Sequence, residues 1–530
     1  MKNKLKKAIE SAVSSLKEKY GADFDHLEIE VDYPKNEAFG DYTTNVAMML
    51  GKVLKKNPME VAEEIVKELD GKIDGFEAPE IVKPGYINFR LAEGRLQELV
   101  GEISELGKKY GESGIGNGIR INNEFISANP TGPLHLGNGR GGFFGDTLSR
   151  VFRKAGYEVV NEYYLNDAGE QVMKLGHSVL KDSEAAYAGE YIDNLHEKLG
   201  NISDVREAGE KAAKEIIDNI IKRIVKEKMG IHFDLWFSEK KLQADGYVDK
   251  AIEIFKEKDL TYEKDEALWL KTTEFGDDKD RVLIKKDGQK TYFASDCGYI
   301  LNKMERGFDV TIETWGADHH GYIARFKAAA EALGFKGELR FVIVQMVRLV
   351  KDGKEVRMSK RAGNVVYIDE LIDKIGIDVA RFFFLMYSCD THMNFDLGLA
   401  EERSQKNPVY YVQYAHARIS SILGKAEDGK FGNGKADLGL LKHEKELDLI
   451  RELNKFPELI EEVAKSYDVH KFPYYAIKIA DRFHSFYNDC RVIDEENPAL
   501  TTARLELIRS AKTVLGEVLG MLGVSAPEKM

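Results

Sequence analysis

A chain of 530 residues is longer than one hydrophobic core usually supports, so roughly two to four domains are expected. Hydrophobic residues at 43%, charged residues at 32% and a net charge of −13 suit a globular protein that does not coat nucleic acid indiscriminately, while a local basic patch can still steer a specific RNA. No run approaches the roughly twenty apolar residues of a membrane span, and the start Met1-Lys-Asn-Lys-Leu-Lys-Lys has no apolar stretch behind it, so a cytoplasmic protein without a membrane partner is expected.

Residues 1–110 read as a small α/β domain: an amphipathic helix, a strand near Leu27 to Val31, helices from Tyr42 and Pro58, then a strand from Ile81 to Leu91. The run Gly111-Glu-Ser-Gly-Ile-Gly-Asn-Gly118 has the composition of a linker and marks a boundary. Beyond it, Ile119 to Ser127 is strand-like, and a Pro/Gly-rich loop begins at Asn129. Phe144, Leu148, Val151, Phe152 and Ala155 then recur at helical spacing up to Gly156, a C-cap. Tyr157 to Leu165 gives the second strand of a βαβ unit, which predicts an α/β fold with a doubly wound, nucleotide-binding parallel sheet.

The segment from about 170 to 280 turns mostly helical and charged, as an insertion into that sheet would. Sheet-like stretches resume at Arg281 to Ile284 and Phe341 to Val350, and Asp352-Gly353 signals a type I′ hairpin. From about Gln405 the pattern is all-helical, with aromatic faces at Tyr410, Tyr411 and Tyr414 and again at Phe483, Phe486 and Tyr487. Cys297, Cys389 and Cys490 lie roughly a hundred residues apart, which excludes a zinc knuckle and predicts reduced thiols.

Two segments carry chemistry. Pro133-Leu-His-Leu-Gly-Asn138 falls between a strand and the first turn of a helix, where free backbone N–H groups and the helix dipole favour phosphate. Gly137 lets a nucleotide approach the backbone, and His135 and Asn138 offer hydrogen bonds to phosphate oxygens. By itself the histidine is more often part of an ordinary strand-to-helix turn. Arg357-Met-Ser-Lys-Arg-Ala-Gly-Asn364 follows the hairpin, and its Lys360 suits a triphosphate in the transition state. Alone it reads as a solvated basic loop; the two segments together favour phosphate chemistry.

Together they resemble the paired signatures of class I aminoacyl-tRNA synthetases, and the flanking residues resemble the arginyl-tRNA synthetases. The likeness covers nearly the whole chain. It runs through Phe39-Gly-Asp-Tyr-Thr-Thr-Asn45, Pro84-Gly-Tyr-Ile-Asn-Phe89, Ser127-Ala-Asn-Pro-Thr-Gly-Pro133, Tyr163-Tyr-Leu-Asn-Asp-Ala-Gly169, Trp315-Gly-Ala-Asp-His-His-Gly-Tyr322, Asp378-Val-Ala-Arg-Phe-Phe-Phe-Leu385 and Phe483-His-Ser-Phe-Tyr487. Asn138 stands where the commonest first signature has a second His, and Arg357 where the second opens with Lys; both keep a donor.

The resemblance implies a small α/β N-terminal domain that contacts tRNA (1–110), a Rossmann-type catalytic domain (119–404, with the insertion at about 170–280) and an all-α anticodon-binding domain (405–530). It implies that arginine and ATP give arginyl-adenylate and pyrophosphate, and that arginine then passes to the 3′-terminal adenosine of its tRNA with release of AMP. Catalysis falls to His135, Asn138 and Lys360. ATP contacts fall to Pro133, Leu134, Gly137, Gly139, His319, His320, Met358, Ser359 and Arg361, and arginine contacts to Glu124, Ser127, Asn129, Tyr292 and Asp296. Carboxylates match a planar guanidinium through paired N–H···O bonds, although alone Glu124 reads as a strand-end surface charge and Asp296 as a helix cap. Mg2+ is expected to accompany ATP, with no resident metal. Tyr410, Tyr411, Gln413, Tyr414 and His416 are candidates for reading unpaired anticodon bases, with most of the aromatics expected to serve helix packing and a minority to touch RNA. A monomer is expected.

Overall fold

The structure is a computed structural model that describes residues 1–24, 26–69, 73–356, 366–432 and 434–530. Its first helix, Lys2–Tyr20, buries Leu5, Ile9, Ala12, Val13 and Leu16, a spacing that gathers apolar side chains on one stripe. Strand β1 (Tyr42–Thr44), helices Val46–Leu54 and Pro58–Leu69, and strands β2 (Glu80–Val82) and β3 (Tyr86–Phe89) follow. The strands pair antiparallel in the order β1-β3-β2.

Three local expectations change here. Residues 27–31 form no strand: Ile29 and Val31 are buried, but only Asp32 bridges to Thr43, so the alternation reports one-sided burial and not a ladder. The helix expected from Tyr42 starts at Val46, because Tyr42, Thr43 and Thr44 suit a pleated surface better. The strand expected over 81–91 is a hairpin folded at Pro84-Gly85.

Past the Gly-rich run, β4 (Arg120–Glu124), the helix Leu136–Lys154 and β5 (Glu158–Leu165) form the βαβ unit, with Arg120 opposite Glu158 in parallel register. Arg153 and Lys154 complement the negative end of the helix, and Gly156 turns the chain at φ 88°. Strand β6 (Leu235–Ser238) adds to β5 in parallel, whereas β7 (Thr261–Lys264), β8 (Ala267–Leu270) and β9 (Arg281–Ile284) make a separate antiparallel sheet. Strands β10 (Val310–Gly316) and β11 (Glu338–Val344) complete the central sheet in the order β11-β10-β4-β5-β6, all parallel.

The segment expected as an insertion at about 170–280 thus supplies one strand of the sheet, and the strand at 281–284 lies outside it. Four residues in a charged stretch carry too little periodicity to show this. The strand order reverses between β4 and β10, and open α/β sheets bind ligands in the crevice at the carboxyl ends of such strands.

Strands β12 (Val347–Lys351) and β13 (Lys354–Glu355) close the predicted hairpin, with φ 52° at Asp352 and 73° at Gly353, the left-handed pair of a type I′ turn. Strand β14 (Met393–Asp396) adds to β12 in parallel. Helices Pro408–Asp428, Glu444–Asn454, Phe456–Ser466, Lys471–Asp489 and Pro498–Leu522 follow. One apolar core runs from the first helix through the central sheet into these helices, and a second packs beneath β8 and β9.

Arg381, buried to 1% exposure, ties this assembly together. It donates to the carbonyls of Leu522 (2.7 Å) and Met229 (3.1 Å) and pairs with Asp146 on the helix Leu136–Lys154. Arg381→Met leaves these acceptors buried, with an expected loss on the order of 3 kcal/mol. A urea midpoint that drops while the native fold persists is the expected reading; an unchanged midpoint would mean that the acceptors find other partners.

Candidate active site

At the carboxyl end of β4 the backbone enters the left-handed region at Ile126 (φ 68°) and Ser127 (φ 38°), a strain that non-glycine residues tolerate only where the surroundings enforce it. The bend carries Ser127 Oγ back to donate to Glu124 Oε1 (3.0 Å) and accept from the Tyr164 N–H (3.0 Å). His135 then caps the helix Leu136–Lys154. Its Nδ1 accepts from the N–H groups of Gly137 (3.1 Å) and Asn138 (3.4 Å), and Asn138 Oδ1 accepts from the His135 N–H (3.0 Å). This is a reciprocal capping box. With Nδ1 accepting, the neutral ring holds its proton on Nε2, the donor left for a ligand. Burial holds the His135 pKa below the ordinary histidine value, against the opposing charge of Asp318.

Two glycines of this turn leave little room for a side chain. A Cβ on Gly137 would stand 3.0 Å from the His135 ring, and one on Gly139 would stand 2.5 Å from Ile368, so Gly139 answers to helix packing. Ile368 N–H donates to the Leu134 carbonyl (2.9 Å), and Leu136 N–H to the Val366 carbonyl (3.3 Å), which stitches residues 366–368 to the turn.

Beside the turn lies a group of carboxylates. The helix Tyr292–Glu305 is capped by Thr291, so Asp296 is not its cap; it lies one turn inside, i+4 from Tyr292, on the same face. Asp296 accepts from the Tyr322 hydroxyl. Burial pushes its pKa up to about 7, with the Glu124 charge adding to the rise. Glu239, 3% exposed, opens the helix Glu239–Ala244, and its Oε2 has no hydrogen-bond partner among the described residues. Burial, then the charges of Asp296 and Asp167, push it to about 7 as well. Glu124 is 5% exposed and therefore no surface charge. Tyr292 is 51% exposed at the mouth, its pKa raised by burial of the phenol and by the charge of Glu239. Carboxylates gathered this closely, one with an oxygen that has no partner among the described residues, suit a cation carrying several N–H donors.

Three segments of the chain match family models: residues 2–91 the arginyl tRNA synthetase N terminal domain, 107–382 the class I (R) tRNA synthetase catalytic domain, and 412–530 the DALR anticodon binding domain. A protein of Bacillus subtilis (strain 168) named arginine–tRNA ligase is 44% identical over 554 aligned residues, spanning 100% of this chain and 99% of its own. The chain belongs to the arginine–tRNA ligase family. An arginine–tRNA ligase of Listeria monocytogenes EGD-e is 45% identical over 533 residues, covering 95% of this chain and 94% of its own. The Thermus thermophilus arginyl-tRNA synthetase structure superposes with a TM-score of 0.78 over 100% of both chains at 21% identity, a likeness of fold. The chain is thus a class I aminoacyl-tRNA synthetase by family, and no helix among the described residues is long and apolar enough to cross a membrane.

Within an arginine–tRNA ligase fold, the expected site residues divide by position. Glu124, Ser127, Tyr292 and Asp296 sit about the carboxylate group, and Asn129 is exposed on the same loop. Pro133, Leu134, His135, Gly137 and Asn138 form the turn. His319 and His320 are exposed on the 3-10 turn Ala317–Tyr322, which also carries Asp318, the neighbour of His135. Met358, Ser359, Lys360 and Arg361 lie outside the described residues. On the first helix of the carboxyl-terminal set, Gln413 bonds Asp378 and Ser525, and His416 bonds the Pro527 carbonyl. Those two candidates for RNA contact are held in packing, while Tyr410, Tyr411 and Tyr414 stay partly exposed.

Glu239 was not among the sequence candidates, since it lies far from either signature. A faint signal exists: Ser238-Glu239 closes a short aromatic run, Leu235-Trp-Phe-Ser238, that proves to be a sheet strand.

Proposed function

We propose that this chain joins arginine to its tRNA in two steps, through the residues just described. The arginine carboxylate attacks the α-phosphorus of ATP in line, forming a C–O–P bond as the bond to pyrophosphate breaks. The 2′-hydroxyl of the tRNA's terminal adenosine then attacks the arginyl carbonyl, loses its proton and releases AMP. Asp296, Glu239 and Glu124 receive the substrate cation with the Tyr292 phenol, Ser127 and Asn129 at the rim. His135 Nε2–H and the Asn138 amide donate to phosphate oxygens as charge develops there. Lys360 is assigned to the leaving phosphates; its segment rejoins the described chain at Val366, whose carbonyl accepts from Leu136 beside His135. Magnesium enters as part of the ATP substrate. Pro133, Leu134 and Gly137 line the nucleotide, with His319 and His320 toward the adenosine. The protein is read as a cytoplasmic monomer, which sedimentation velocity checks.

The observation that carries this reading is the excess of buried carboxylates beside a capped helix N-terminus at the strand-order reversal. The test is aminoacylation of transcripts ending in 2′-deoxy- or 3′-deoxyadenosine. Charging of the 3′-deoxy tRNA alone is expected, and charging of the 2′-deoxy tRNA alone overturns the acceptor assignment.

A pH dependence follows from the same groups. Asp296 and Glu239 stand at about 7, and guanidinium pairs with their ionised forms. The KM for arginine is therefore expected to fall as pH rises from about 6 to about 8, by roughly tenfold per group titrated. In the free protein the raised values contribute stability that is full below the ordinary carboxylate pKa of about 4 and is lost as pH climbs from there through about 7; bound arginine reverses the loss. A KM for arginine that stays flat over this range contradicts the assignment.

A further inference from the structure

One buried lysine beneath the amino-acid site has no place in the two steps above. Tyr292, Asp296, Tyr299 and Lys303 follow one another at helical spacing on the helix Tyr292–Glu305. The first two belong to the cation site, and the last two reach the sheet. There, Glu124 on β4 stands in register with Glu162 on β5 and with Glu313 on β10, so three glutamates lie side by side across adjacent strands. Like charges so placed repel, and burial magnifies the cost.

Two cations answer them. Arg306 grips Glu162 at 2.5 and 3.0 Å. Lys303, 2% exposed, donates from Nζ to Glu124 Oε2 (2.7 Å) and to Glu313 Oε1 (2.5 Å), over the ring of Tyr299 at 4.3 Å. The Tyr299 hydroxyl lies between Glu124 Oε2 (2.5 Å) and Glu162. Burial works against a charge on Lys303, but the carboxylates of Glu124 and Glu313 hold its pKa above the ordinary lysine value. Oε2 of Glu124 is thereby occupied from below by an ammonium and a phenol, while Oε1 accepts from the Ser127 hydroxyl on the side of the bend.

We propose that Lys303 is a positioning residue for arginine: its ammonium fixes the Glu124 carboxylate by one oxygen and leaves the other to the substrate. This rests on the reading that Glu124 contacts arginine. A purely structural role, in which Lys303 only neutralises Glu313, is the rival.

The test is the KM for arginine and for ATP in tRNA-supported ATP–pyrophosphate exchange with full-length variants. Lys303→Met is expected to raise the KM for arginine at least about tenfold with the KM for ATP within about twofold, and Lys303→Arg to return it to within about threefold of the parent. The double variant Lys303→Met with Glu313→Gln removes the carboxyl that Lys303 would merely pair with, and it carries the test should the single variant fail to fold. A KM for arginine that stays raised in the double variant supports the proposal; a return to the parent value overturns it, as does an equal rise for ATP. Adding Lys303→Met to Glu124→Gln is expected to cost little more, because the positioned group is already disabled. If Glu124→Gln leaves the KM for arginine unchanged, the placement of Glu124 falls and the inference with it. If Glu124→Gln raises that KM and the double variant does not, the role of Lys303 alone falls.

Discussion

Asp296→Asn raises the KM for arginine by about a hundredfold or more, since loss of one buried charged partner costs on the order of 2–5 kcal/mol. The asparagine keeps the shape, and its carbonyl oxygen can still accept from the Tyr322 hydroxyl, so the cation site loses charge with little change of form. The KM for ATP stays within about threefold, because the groups proposed for the nucleotide stand on the His135 turn and make no demand on Asp296. A second effect separates this reading from general damage. The Asp296 charge helps to raise Glu239, so its removal lowers the Glu239 pKa and shifts the remaining pH dependence of arginine binding downward. Equal rises in both KM values, or a pH profile that keeps its midpoint, would mean that Asp296 serves the fold alone.

His135→Asn is expected to lower kcat by about a hundredfold or more with little change in either KM, the scale of losing one preorganised donor to developing charge. Asparagine is a good N-cap, so it replaces Nδ1 as acceptor for Gly137 and Asn138 while removing the Nε2 donor. His135→Ala loses the cap as well and about 1 kcal/mol of stability with it. A His135→Asn protein that keeps kcat, beside a His135→Ala protein that unfolds earlier, would reduce His135 to a cap. The capping geometry also explains how Asn138 is tolerated where the commonest signature has histidine: its Oδ1 closes the box, and its amide N–H remains to donate.

The parts of this molecule legible in its sequence are those whose signal is local. The spacing of Phe144, Leu148 and Val151 reveals the helix of the βαβ unit, and Asp352-Gly353 reveals its turn by itself, because only such residues take two left-handed conformations in succession. What long-range packing decides was hidden. Strand β6 belongs to the sheet only because the chain returns to β5 after some seventy residues of helix and loop, and Glu239 enters the site on that return. Ile29 and Val31 imitate a strand because burial on one side also alternates. The Ile368 side chain that stands where a Cβ of Gly139 would lie comes from a helix more than two hundred residues away. Which of the candidates near Tyr410 pack was also hidden: Gln413 and His416 bond the distant carboxyl-terminal residues Ser525 and Pro527. Lys303 was legible in principle, since Tyr292, Asp296, Tyr299 and Lys303 form a polar stripe on an otherwise buried helix.

The carboxylate group about Asp296 and Glu239 is the center of this account, and ATP–pyrophosphate exchange with competing amino acids probes it most directly. With tRNA present, arginine should support exchange, whereas citrulline, which has arginine's shape without its charge, and lysine, which has the charge without the planar fork, should each fall about a thousandfold or more in kcat/KM. Exchange with citrulline or lysine at a rate near that with arginine, or no exchange with arginine at all, would contradict it.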